Sequence, residues 1–248
     1  MRIQSLIILS IFTAFAEKPL DAQQVPATDV KEIVVQMLAH DAQRQASMEG
    51  YFGMRRYILR NEQMHKCAQM TVRVKGESDG SKHFEIVSEE GWKAAQKHVL
   101  SKMLESEEET SRPEEKPKTR LSPDNYDFQL VGTERTGGRT SYEIEVTPKR
   151  REKYLFHGRI WVDTEDYAVV WAEGNPAKNP SFWTKTVHFV HTYEKRGAFW
   201  FPITTESVTE ARLFGTTNLT IEYFDYQPVV APRVPETVVE VVQAGGQR

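Results

Sequence analysis

Apolar positions along the chain change their period twice, and the changes mark out the elements. In VPATDVKEIVVQMLAHDAQRQA, residues Val30, Ile33, Val34, Met37 and Leu38 recur at helical spacing. Lys31, Glu32, Gln36 and His40 fall on the opposite, solvated face, and Asp29 with Glu32 three places later forms a capping-box start. From Tyr51 the pattern alternates. YFGMRRYILR and CAQMTVRVKG read as strands, with Met70, Val72 and Val74 on one side. ESDG is a turn, and HFEIVS is a third strand with Phe84 and Ile86 on one face. GWKAAQKHVLSKMLESEEE returns to helical spacing, its stripe traced by Ala95, Val99, Lys102 and Met103 with Trp92 and Leu100 at the edges. The acidic, proline-bearing stretch from Glu105 to Pro123 shows no apolar period and reads as a mobile loop.

Everything after that stretch alternates again. YDFQLVGTE, TSYEIEVTP, a hairpin turning at Asp163–Asp166, WTKTVHFVHTY, FWFPITTESVTEARLFG and TNLTIEYFDYQ follow in turn, joined by short turns. The sum is about ten strands and two helices. It predicts an α+β, mainly β fold: one curved antiparallel sheet, an open half-barrel, with both helices on its concave face. The domain spans residues 28–227, and a proline-rich extension covers 228–248.

The N-terminus carries a different signal. Arg2 precedes the apolar run Leu6–Ala16, which ends in Ala14 and Ala16, the features of a secretory leader cut after residue 16 or as late as 22. The run is too short to span a bilayer comfortably. The expectation is an exported protein that is soluble after cleavage, without stable membrane insertion.

Composition then narrows the chemistry. With 39% hydrophobic and 27% charged residues the chain can build a core. The net charge of −3 and the lack of a long basic stretch argue against nucleic acid; Lys149, Arg150, Arg151 and Lys153, interrupted by Glu152, read as a solvated turn. Cys67, the single cysteine, has no partner for an internal disulfide and reads as a buried small hydrophobe beside a strand. His188 and His191 invite a metal reading, but on a strand residues three apart face opposite ways and cannot share an ion. His191 then faces the core with a backbone or carboxylate partner, and His188 faces solvent. No metal, cofactor or catalytic set is expected: zincin, nucleophile-elbow, P-loop and dinucleotide motifs are absent, and His157 lies near Asp163 and Asp166 in sequence only.

The second half also carries a family resemblance. The proline-ended strand at Pro148, FHGRIWVD, EGNPAKNPSFW and IEYFDYQ resemble the periplasmic lipoprotein-carrier (LolA-like) superfamily and its outer-membrane lipoprotein-sorting relatives, over Asp29 to Gln227. The resemblance implies a periplasmic, non-enzymatic protein of the Gram-negative envelope. It would hold acyl chains of lipoproteins or lipids in an apolar cavity. The same fold also serves sensor modules that bind a protein partner, and that alternative stands beside it. The chain has no lipid-bearing cysteine after the leader, and the carrier pattern has no place for the 105–123 stretch. The apolar stripes give the expected site: Met37, Leu38, Leu100 and Met103 as a lid, Trp183 and Phe189 as a floor.

Overall fold

The computed structural model describes residues 29–136, 138–179, 184–212 and 215–230. Residues 1–28, where the sequence predicts a leader, and the segment from 231 onward lie outside the described residues, as does Trp183. Helix α1 (Val30–Ala46) starts where the sequence predicts, with Asp29 as N-cap accepting a hydrogen bond from the Lys31 amide. Strands β1 (Gly50–Asn61), β2 (Lys66–Glu77) and β3 (Lys82–Gly91) follow. Next come α2 (Lys93–Ala95), a π-helical turn (Gln96–Leu100), α3 (Ser101–Thr110) and α4 (Lys116–Thr119). The chain then runs through β4 (Tyr126–Thr136), β5 (Arg139–Pro148), β6 (Phe156–Asp163), β7 (Val169–Pro176), β8 (Thr184–Arg196), β9 (Phe199–Ala211) and β10 (Gly215–Val229).

All ten strands form one open antiparallel sheet in the order β3-β2-β1-β10-β9-β8-β7-β6-β5-β4. The helical segment leaves one edge, β3, and delivers the chain to the other, β4. β10 then returns to pair with β1 along its length. Directly opposed residues show what one face carries. Leu130, Ile144, Ile160 and Ala172 lead from β4 to β7; His191 and Thr205 sit in the middle; Ile221, Tyr57 and Met70 continue to β2. This face has two apolar ends and a polar middle.

A helix covers each end. Ile33, Val34 and Met37 of α1 pack on Ile144, Val146, Ile160 and Val162. Ala95, Leu100 and Leu104 pack on Tyr57, Leu59, Met70, Leu219 and Ile221. Burial of these side chains, at about 1.5–3 kcal/mol each, is what fixes the helices to the sheet.

The second helix departs from the expected stripe for a clear reason. The π-helical turn inserts one residue, so Leu100 follows Ala95 at i+5, and Leu104 follows four later. Val99, expected inside, is exposed. The helix also continues past Glu105, and Lys116–Thr119 is helical, so 105–123 is not a featureless loop. Its inward positions are polar, and an apolar-period reading therefore passes over them: Glu107 contacts the sheet, and Ser111 Oγ accepts the Lys82 amide.

One smaller expectation also changes. Cys67 is exposed, because the alternation that buries Met70 and Val72 buries Ala68 and turns Cys67 outward. Ile86 is exposed on the edge strand β3, just before a bulge opposite Thr71 and Val72.

Candidate functional site

The polar middle of the covered face is a connected network. Arg55 is buried on β1, and its Nε donates to the Tyr226 hydroxyl at 2.8 Å. Its guanidinium lies between the rings of Phe84 and Tyr223, 5.1 and 4.9 Å from their centroids. Its two Nη atoms grip Glu107 of α3 at 2.7 and 3.2 Å, and Lys82 Nζ joins the same carboxylate at 2.7 Å. Burial alone would raise the Glu107 pKa, but Lys82 and Arg55 outweigh it and hold the carboxyl well below its usual range. Farther along the same face, His191 Nδ1 meets Thr205 Oγ1 at 2.6 Å, and that hydroxyl meets Tyr223 at 2.9 Å. The partner of His191 is thus a threonine hydroxyl, where the sequence suggested a backbone group or carboxylate. His188 is exposed, on the other side of β8.

Between this network and α1 the packing is incomplete. A cavity of about 580 Å³ lies under α1, bounded by residues 119–121 and 153–156 and by β7, β8 and β9. Met37 and Leu38 form the helix side. Ala172, Phe189, His191 and Tyr193 form the sheet side, and Tyr126, Leu155 and Phe156 the far wall.

Small residues create the space. Ala168 and Ala172 line it from β7 and the turn before it; nearby on the sheet, Gly158 pairs with Gly174, which in turn pairs with the cavity-lining Phe189. The backbones at the glycine pair approach closely. A β-carbon on Gly174 would overlap the His157 carbonyl oxygen, and one on Gly158 the Glu173 carbonyl oxygen. The rings of Phe156 and Phe189 meet edge-to-face at 5.2 Å from the flanking positions.

The interior is uncharged. Burial lowers the His191 pKa to about 4, so it is neutral at pH 7. Burial pushes the Tyr193 hydroxyl up to about 12 and raises Tyr126 as well. Charge is confined to the mouth, where Asp41, Arg44, Arg120 and Lys153 line the opening.

A second recess of about 560 Å³ includes Trp161, Trp171, Val170, Thr192 and Ile203, and Tyr193 and Trp200 border both spaces. The β7–β8 ladder stops at Trp171 and Thr192, so the two strands part where these residues stand. Asp166 spans this region, binding Lys195, Arg139 and the Trp200 indole N–H, while Arg44 donates to its carbonyl.

Of the residues nominated from sequence, Met37, Leu38 and Phe189 line the cavity. Leu100 and Met103 pack in the other apolar cluster, against β1, β2 and β10. His157 is exposed at one end of β6, and Asp163 closes the other end, gripped by Arg139 Nε and Nη2 at 2.6 and 2.7 Å. Among the described residues no group of three His, Cys, Asp or Glu side chains is placed to hold a metal. Ala172, Tyr126, Leu155 and the rim cations were not nominated. A glycine inside each of two adjacent strands, Gly158 and Gly174, was the available signal.

Comparison with known proteins adds the following. A family of unknown function, DUF5686, matches residues 120–226. A search of curated proteins finds no match. Among solved structures, a DUF1329 family protein from Desulfovibrio piger is similar at 13% identity and TM-score 0.48, over 82% of this chain and 94% of that one. A LolA superfamily protein from Nitrosomonas europaea is similar at 11% identity and TM-score 0.39, over 83% and 96%. An outer membrane lipoprotein-sorting protein domain from Vibrio parahaemolyticus is similar at 12% identity and TM-score 0.40, over 79% and 94%.

Proposed function

We propose that this is an exported, periplasmic binding protein that sequesters acyl chains, of lipoproteins or of lipids, without covalent chemistry. The observation that carries the reading is the cavity under α1: about 580 Å³, neutral and largely apolar inside, with charge only at its mouth. That size falls within the range of about 300–1,000 Å³ typical of small-ligand pockets. Each methylene moved into it from water contributes about 0.8 kcal/mol. Met37 and Leu38 are suited to the helix side, because unbranched or flexible apolar side chains adapt to chains of different shape.

The test is native mass spectrometry of protein expressed with its leader, together with titration of a fluorescent fatty acid. Bound lipid and saturable probe binding are expected, and Leu38→Ala and Phe189→Ala should weaken the probe with modest loss of stability. A wild-type protein that binds no acyl probe, with both variants losing the ~2–5 kcal/mol of dry-core truncations, would reject the carrier reading.

The second recess favours one alternative, a module that docks a protein partner. Trp171 is exposed there, beside Val170 and Ile203. Exposed tryptophan is a common interface anchor. Under that reading Trp171→Ala abolishes partner capture and leaves acyl binding at background in wild type and variant alike.

A further inference from the structure

The mouth of the cavity is built differently from its interior, and the difference specifies one end of a ligand. Exposure rises from the buried Met37, Leu155 and Ala172 to the exposed Arg120, Lys153 and Asp41, which places the opening between α1 and the two loops that carry these side chains. Three cations and one carboxylate face that opening. The lining holds no charged side chain besides these four, and the one imidazole inside, His191, is neutral with its Nδ1 engaged by Thr205.

The basic run at 149–153 helps to assemble this rim. Arg150 Nη2 donates to the Lys118 carbonyl at 2.7 Å, and Lys149 Nζ to the Pro123 carbonyl. These bonds tie the β5–β6 loop to the loop before β4, and so bring Lys153 and Arg120 to the same opening. Arg44, on the last turn of α1, is held over the cavity by its bond to the Asp166 carbonyl at 2.9 Å. The single carboxylate, Asp41, sits at 3.3 Å from Arg120 in an exposed pair. Such a pair contributes little by itself and is readily exchanged for another anion.

We infer that the ligand is an anionic amphiphile. Its acyl chain occupies the cavity, and its phosphate or carboxylate head is held at the mouth by Arg120, Lys153 and Arg44. This rests on the acyl-binding reading and adds the chemical class of the head. Guanidinium groups match phosphate and carboxylate oxygens in paired geometry, whereas a neutral or zwitterionic head gains no net attraction there.

The experiment compares three probes by isothermal titration: myristoyl lysophosphatidic acid, monomyristoylglycerol with the same chain and no charge, and inorganic phosphate. Wild type should bind the anionic lipid about tenfold or more tighter than the glyceride, with a preference that shrinks as salt rises. Inorganic phosphate alone should give no measurable heat, since the chain supplies most of the affinity. In Arg120→Gln/Lys153→Gln the ratio of the two lipid affinities should fall toward one. Lys153→Glu, a single change on an exposed side chain, should move the ratio the same way if the double variant is poorly folded. Equal affinity of wild type for both lipids would overturn the head-group assignment while leaving acyl binding intact. Binding of phosphate as tight as the lipid would overturn it in favour of a free-anion site. Failure of both lipids to bind would overturn the acyl reading and this inference with it.

Discussion

His191 and Glu107 both make the folded protein less stable in acid, and their signs agree. The His191 pKa falls to about 4 on folding, because burial penalises the imidazolium. Between that value and the ordinary one near 6.5, the unfolded chain binds the extra proton and the folded chain does not, so stability is lost as pH falls through this window. Glu107 is depressed on folding, so its contribution is present above its unfolded pKa and declines as pH drops below about 4.5. Chemical denaturation from pH 7 to 4 should show falling stability, and His191→Gln should remove on the order of 2–3 kcal/mol of that fall. An unchanged slope in the variant would mean that His191 is charged in the fold. Glu107→Gln leaves Arg55 buried and Lys82 without its carboxylate. The expected loss is about 2–3 kcal/mol at pH 7, below the 3–5 seen for fully buried pairs, since the Glu107 side chain keeps 33% exposure. Arg73→Ala, which breaks an exposed pair with Glu85, should cost under about 1 kcal/mol. Similar losses in the two variants would show that the network does not hold the helix.

Two elements owe their form to a single residue more or less. The π-helical turn places Ala95 and Leu100 five apart. Deleting the exposed Lys97 brings them to i, i+4 and restores a regular helix with the same buried stripe. That deletion should change stability by less than about 1 kcal/mol, while Leu100→Ala should cost about 2–5 kcal/mol; thermal denaturation separates them. In the sheet, Gly174→Ala forces the β6 and β7 backbones apart and should cost more than about 2 kcal/mol. Gly132→Ala meets nothing within 4 Å and should be neutral or slightly stabilising. Equal tolerance at the two glycines would argue against the close approach of β6 and β7.

Among the described residues the sheet carries two apolar ends, and the one under α1 is left open. The α2–α3 side packs Leu100 and Leu104 fully against β1, β2 and β10. The α1 side has alanine at 168 and 172 where larger residues would fill the space. Ala172→Phe should therefore fill part of the cavity, leave the melting temperature unchanged or higher, and reduce affinity for an acyl probe several-fold. A large loss of stability instead would show that the site is already packed, since overfilling a tight core costs about 1–3 kcal/mol. The Asp166 cluster, where β7 and β8 part, ties both strands to α1 through Arg44 and Lys195.

Period and capping were enough to place α1, the strand sequence and the mainly β fold, because each is a local consequence of which positions are apolar; the second helix they located but not its inward face, which the π-helical turn shifts. The same logic put His188 and His191 on opposite faces. Sequence could not show that β10 returns to β1, since pairing between residues such as Tyr57 and Ile221 depends on how distant segments meet. Nor could it separate Met37 and Leu38, which line the cavity, from Leu100 and Met103, which belong to a filled cluster. All four are apolar residues on helical stripes, and only the size of the side chains facing them distinguishes a wall from a core. The helix through 105–110 was hidden for a related reason: its inward contact is Glu107, whose partners Arg55 and Lys82 lie 52 and 25 residues away. A charge is legible as buried only once the tertiary fold has brought its counter-charges to it.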